Sequence, residues 1–284
     1  MDIYKMVTDR IIEQLEQGVI PWKKPWVGGS EGAFNRISRN SYSLCNQLLL
    51  RHDGEYATFR QWQEMGGHVK KGAKAEMIVF WKLQEKKEEE DGEEKIKKIP
   101  VLRYYNVFHI SQVENVCPLK PEITFNTDPI DAAEQVLQNY VKRENISLLS
   151  ERGNRACYMP ATDEIMLPDL AQFEKAEEYY STAFHECAHS TMTAERCDRK
   201  NEHKKLKFGN EEYSREELVA EITSAAVLHR IGIETQDTFQ NSCSYIQSWL
   251  QVLKNDKKCI VSAAGKAEKA TEYILKDAAL PSIK

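Results

Sequence analysis

With 284 residues, 41% hydrophobic and 29% charged, the chain is long enough for two ordinary domains and has the balance of a soluble globular protein. No apolar run approaches the roughly 18 residues of a membrane span, and seven scattered cysteines with no CxxC pair indicate neither a disulfide framework nor a thiolate zinc site. The net charge of -5 is uneven: residues 1–82 carry twelve Lys/Arg against nine Asp/Glu, so the front part is +3 and the remainder -8, which points to a polyanionic partner for the front part alone.

In chain order, Ile3, Met6, Val7, Ile11, Ile12 and Leu15 recur at helical spacing, and the helix is predicted to end at Gly18. The same stretch scatters its charges and has no basic segment leading into an apolar one, which predicts a cytoplasmic location. After the loop IPWKKPWVGGSEG come β-leaning runs at Tyr56–Phe59, Met77–Lys82 and Val101–Ile110, punctuated by Gly66, Gly67 and Gly72. Between the last two runs lies EKKEEEDGEEKIKK, residues 85–98, which reads as a solvated hairpin tip or loop, or else as an acidic decoy arm. The proline-bearing ENVCPLKPEITFNTDP reads as a linker. The expected division is therefore a domain over 1–115, a linker over 116–128 and a second domain over 129–284. The second opens with a helix, IDAAEQVLQNYVKREN. Two short strands around PATD follow, and the rest is strongly helical. The fold class is α+β.

The stretch STAFHECAHST carries the chemistry. Positions four apart share a helix face, so His185 and His189 can offer two imidazoles to one ion, with Glu186 beside them to hold a water. Zinc, Zn2+, is the default metal for two neutral imidazoles, a carboxylate and an open position. A third ligand is sought downstream, in YSREELVAEITSAAVLHRIG. Glu217 and Glu221 are again four apart, on a helix apolar enough to bury a carboxylate. Either Glu217 is the ligand and Glu221 supports a ligand histidine, or the roles are exchanged. Alternatively, Glu217 closes a capping box from Ser214. Tyr213, Tyr158 and His203 are candidates to donate to an oxyanion, against plain packing or surface roles.

HECAH followed by ELVAE is similar to the zincin metallopeptidases of the glutamate-ligand type, and ACYMPATDEIMLP resembles the edge strand on which they receive an extended peptide. In that reading Glu186 is the general base of peptide hydrolysis.

Four of five tryptophans, 22, 26, 62 and 81, lie in the front part among lysines and arginines. That mixture suits stacking on single-stranded nucleic acid, or is simply core and surface. The order of IPWKKPW, FNRISRNSYSLCN, YATFRQWQEMGGHVKKGAKAEMIVFWK and YYNVFHISQV resembles the N-terminal single-stranded-DNA-binding domain of the ArdC-type antirestriction proteins, which a zincin-like domain follows. SYSLCN departs from it, with Leu44 and Cys45 where a glycine is expected near the asparagine. The resemblance implies single-stranded DNA as partner, an unidentified protein or peptide substrate, and no membrane. It places DNA contacts at Trp22, Lys23, Lys24, Trp26, Arg36, Arg39, Tyr42, Lys70, Lys71, Lys74 and Trp81. Two other readings stay open: a DNA-coating protein with a structural zinc, and a regulatory protease that cuts a repressor or antitoxin.

Overall fold

Asp2 opens the first helix by accepting a hydrogen bond from the amide of Lys5 at 3.3 Å, and α1 (Ile3–Glu16) buries Val7, Ile11 and Leu15 along one stripe. The computed structural model describes residues 2–17, 20, 32–90, 93–119, 129–151, 155–173, 175–199, 211–233 and 249–278.

A four-stranded sheet of order β1-β2-β5-β4 follows, from β1 (Ala33–Asn35), β2 (Gly54–Ala57), β4 (Glu76–Glu90) and β5 (Glu93–His109). β1 and β2 run parallel and are joined through α2 (Leu44–Leu49), whereas β2, β5 and β4 pair antiparallel. Two buried amides on α2 dock it onto this sheet. Asn46 bonds both backbone groups of Val79 on the edge strand β4, at 2.9 and 2.7 Å, and Gln47 does the same for Ala33 on β1, at 2.8 Å each way. Gly32 has φ +59°, and a side chain there would meet the Gln47 amide at 2.7 Å.

The run expected as a strand through Phe59 stops earlier, because Thr58 and Gln61 form a reciprocal capping box that starts α3 (Phe59–Glu64). β3 (His68–Val69) pairs with β6 (Val113–Glu114) beside it. The charged segment 85–98 continues both strands of a long hairpin, paired in register as far as Glu90 and Glu93. An outward strand needs no apolar residues when its backbone bonds are made within the hairpin.

Beyond residue 128, α4 (Pro129–Glu144) leads into a three-stranded sheet of order β7-β9-β8. The two strands around PATD are β8 (Cys157–Met159) and β9 (Glu164–Pro168). β7 (Ser147–Glu151) pairs parallel with β9 and leaves β8 at the edge. Helices α5 (Ala176–Ser190), α6 (Glu211–Arg230), α7 (helical residues 249–255) and α8 (Cys259–Ile274) complete an α+β chain of two domains, strand-rich first and mainly helical second. No described helix is long and apolar enough to cross a membrane.

One hydrophobic cluster joins the two parts: Val7, Ile11, Leu15, Leu48, Leu49, Val79 and Leu102 pack with Leu218, Val219 and Ile222 of α6 and with Trp249, Leu253 and Ile260 of α7 and α8. A second, around Leu137, Tyr140, Ile165 and Phe184, lies wholly beyond residue 128. Two smaller clusters, around Tyr42, Tyr56 and Val107 and around Trp62, lie within the front part, so each domain has a core of its own and the first cluster adds one that they share.

Candidate metal centre

Helix α5 is uninterrupted by glycine or proline and buries Tyr180, Ala183, Phe184 and Cys187 on its inner side. Burial pushes the Cys187 thiol far up, so it is a core residue, as its helical direction predicts. His185 and His189 then emerge on a neighbouring face with their Nε2 atoms 3.1 Å apart. Opposite them, Glu217 of α6 brings Oε2 to 3.5 Å from His185 Nε2 and Oε1 to 3.3 Å from His189 Nε2. One ligand atom from each of these residues lies within 4.8 Å of the others, the compass of a single ion.

Glu221 lies one turn on, 3.8 Å from Nδ1 of His185, on the side away from Glu217. The geometry thus brings Glu217 to the paired nitrogens and Glu221 to the back of a histidine. The capping-box alternative does not arise at Ser214, since α6 already runs from Glu211. A further acid, Glu216, faces the back of the other ring at 3.7 Å from His189 Nδ1. The sequence alone assigns it no role. A third acid on one helix was the available signal.

Burial alone would make the His189 imidazolium harder to form, but the carboxylates of Glu216 and Glu217 outweigh that and raise its pKa. Burial likewise works against ionised Glu217, and His185 and His189 hold it well below the usual carboxylate range all the same.

Glu186 is buried, 7% exposed, and lines the same cleft of about 410 Å³. Tyr213, Met192 and the β8 residues Cys157 and Tyr158 complete the wall. The Tyr158 hydroxyl donates to Asp163 at 2.8 Å, so it is committed away from an incoming oxyanion. His203 lies outside the described residues, and Tyr213 lines the wall.

A family model for zincin-like metallopeptidases matches residues 134–266, and one for the N-terminal domain of anti-restriction factor ArdC matches 1–108. The metal-free crystal structure of the antirestriction ArdC protein from plasmid R388 superposes with a TM-score of 0.78 at 32% identity, covering 98% of each chain. The chain belongs to the ArdC antirestriction family. A Mn(II)-bound structure of the R388 ArdC matches at TM-score 0.77 and 30% identity, with 98% and 99% coverage. Among curated relatives, two DNA primases TraC of Escherichia coli are 32% and 33% identical over 96% of this chain, which spans only 20% and 27% of their length. Protein y4eC of Sinorhizobium fredii is 29% identical, and the chain spans 91% of it.

In this ArdC-like chain the front-half candidates separate by exposure. Trp22, Lys23, Lys24 and Trp26 lie outside the described residues. Arg39, Lys70, Lys71, Lys74 and Trp81 are exposed. Arg36 is ion-paired to Glu55. Tyr42 is only 6% exposed, so it is no platform for a base. It packs instead beneath Phe80 with ring centroids 6.3 Å apart. Phe80 itself is 46% exposed and shares a sheet face with Arg103, its cross-strand partner, and with Tyr105, whose ring lies 6.1 Å away. These three were missed because a strand of unknown register does not say which alternate residues face water. Trp62 is fully buried and bonds the carbonyl of Phe108.

Proposed function

We propose that the chain is a zinc-dependent peptidase tethered to single-stranded DNA, acting in the cytoplasm in defence of incoming DNA against restriction. The observation that carries the reading is the meeting of His185, His189 and Glu217 with Glu186 in one cleft bordered by an edge strand. A cation held by those three would acidify water and polarise a peptide carbonyl. Glu186 takes the proton of the attacking water and passes it to the departing amine nitrogen. Strand β8 aligns the substrate by adding it as a further strand, and Tyr213 donates to the developing oxyanion. A purely structural zinc is supported less well, since it favours four protein ligands and has no use for a buried carboxylate beside two of them.

The partner reading rests on the face of Phe80, Arg103 and Tyr105, where two exposed rings and a guanidinium suit base stacking beside phosphate. Glu186→Gln is expected to keep its metal and to lose all cleavage. If it retains full antirestriction activity while DNA-binding variants lose it, the peptidase reading fails. Affinity for single strands should fall with salt at a slope of about -0.7 per phosphate contacted. Equal affinity for duplex would remove the partner.

A further inference from the structure

We infer that Arg199 and Glu216 form a buried strut that fixes the ring of His189 for metal binding, a positioning role that rests on the reading of this site as a metal centre. Both side chains are nearly inaccessible, 4% and 3% exposed. Arg199 donates from Nη2 to Glu216 Oε1 at 2.7 Å and from Nε to Oε2 at 3.4 Å. Its remaining bonds go to the carbonyl of Ala188, from Nη2 at 2.9 Å, and to Thr191 Oγ1, from Nη1 at 2.7 Å. Those residues stand on either side of His189 in the chain, so one guanidinium ties the end of α5 to α6 beside the ligand.

The oxygen of Glu216 that accepts from Nη2 is the one facing His189 Nδ1 at 3.7 Å. A histidine that binds a cation through Nε2 must carry its proton on Nδ1, and a carboxylate behind that atom selects the tautomer and steadies the ring. Glu216 thereby orients His189, and the Arg199 fork keeps Glu216 aimed at the ring. The arginine reaches this position because the turn after α5 doubles back: Asp198 has φ +46°, and the amide of Arg199 bonds the carbonyl of Met192 at 2.9 Å. A buried ion pair contributes little net stability compared with apolar residues of similar size, so the fold alone gives no reason for this one. His185 has a carboxylate behind it too, but Glu221 is 21% exposed, where water weakens its hold.

The test uses the full chain and Zn(II) alone, with affinity measured by chelator competition and ligand geometry by the visible spectrum of the Co(II)-loaded protein. The paired replacement Arg199→Met/Glu216→Leu is expected to fold, to bind zinc about 10- to 100-fold more weakly and to shift the Co(II) bands. Glu221→Gln should cost less. A folded paired variant with wild-type affinity and spectrum overturns the strut. Should that variant not fold, Arg199→Lys, which keeps the charge without the fork, is expected to show the same loss, and unchanged affinity in it is equally fatal. Wild-type protein that binds no zinc overturns the metal-centre reading and the strut together, whereas wild-type binding with unaltered variants overturns the strut alone.

Discussion

Replacing Asn46 by alanine removes two buried hydrogen bonds to the backbone of Val79. Its side chain is fully buried, and it closes the outer side of β4 at Val79, accepting from that amide at 2.7 Å and donating to that carbonyl at 2.9 Å. Val79 is itself only 6% exposed, so water does not reach the groups left behind. A buried backbone group without a partner costs about 1–3 kcal/mol, so the two together should cost about 2–6 kcal/mol. That is a large share of the roughly 5–15 kcal/mol by which domains are stable. Urea unfolding followed by tryptophan fluorescence would read it as a lower midpoint at unchanged slope. Because Phe80 is the next residue on the strand, affinity for single-stranded DNA should fall as well. A loss of stability below about 1 kcal/mol would refute the reasoning, since it would mean the Val79 groups find other partners.

Glu217→Ala should abolish or greatly weaken metal binding while Glu221→Ala retains it, checked by metal content after dialysis; the reverse pattern would exchange their roles. Phe80→Ala should reduce affinity for single-stranded DNA by roughly 1–3 kcal/mol without a change in melting temperature, read by fluorescence anisotropy. Trp62→Ala, in the core, should instead lower stability by about 3–5 kcal/mol. Glu144 gives a pH dependence: burial would raise its pKa, but Arg143, Tyr273 and Arg196 prevail and hold it below the ordinary 4.5. Its contribution is then complete above about pH 5 and disappears as pH falls through the lowered value. The stability gap between wild type and Glu144→Gln should accordingly narrow in acid, and a gap constant from pH 7 to pH 3 would contradict the assignment.

The metal cluster was legible because its spacing is local. His185, Glu186 and His189 lie on one turn, so helical period aligned them, and the same period paired Glu217 with Glu221 on a later helix without deciding between them. What escaped depends on contacts between distant segments. Glu216 matters because α6 crosses α5, and Arg199 because a turn folds back, and no periodicity encodes either. Tyr42 and Phe80 show the same limit from the other side: composition marks both as aromatics in a basic region, but only strand register decides which one supports and which one is exposed. The asparagine of SYSLCN is a further case, since the sequence placed it only within a family pattern and its physical reason, the closing of β4, came from the fold.

Helix α6 holds Glu217 on one side and, on the other, gives Leu218, Val219 and Ile222 to a core that α1 and α2 help to fill. Cutting the chain after residue 128 would strip that second side and leave aliphatic side chains facing water on the helix that carries a metal ligand. The two family segments are therefore expected to melt in one calorimetric transition, and a fragment beginning at residue 129 to aggregate or to bind metal poorly. What the chain divides by ancestry, its packing joins by energy.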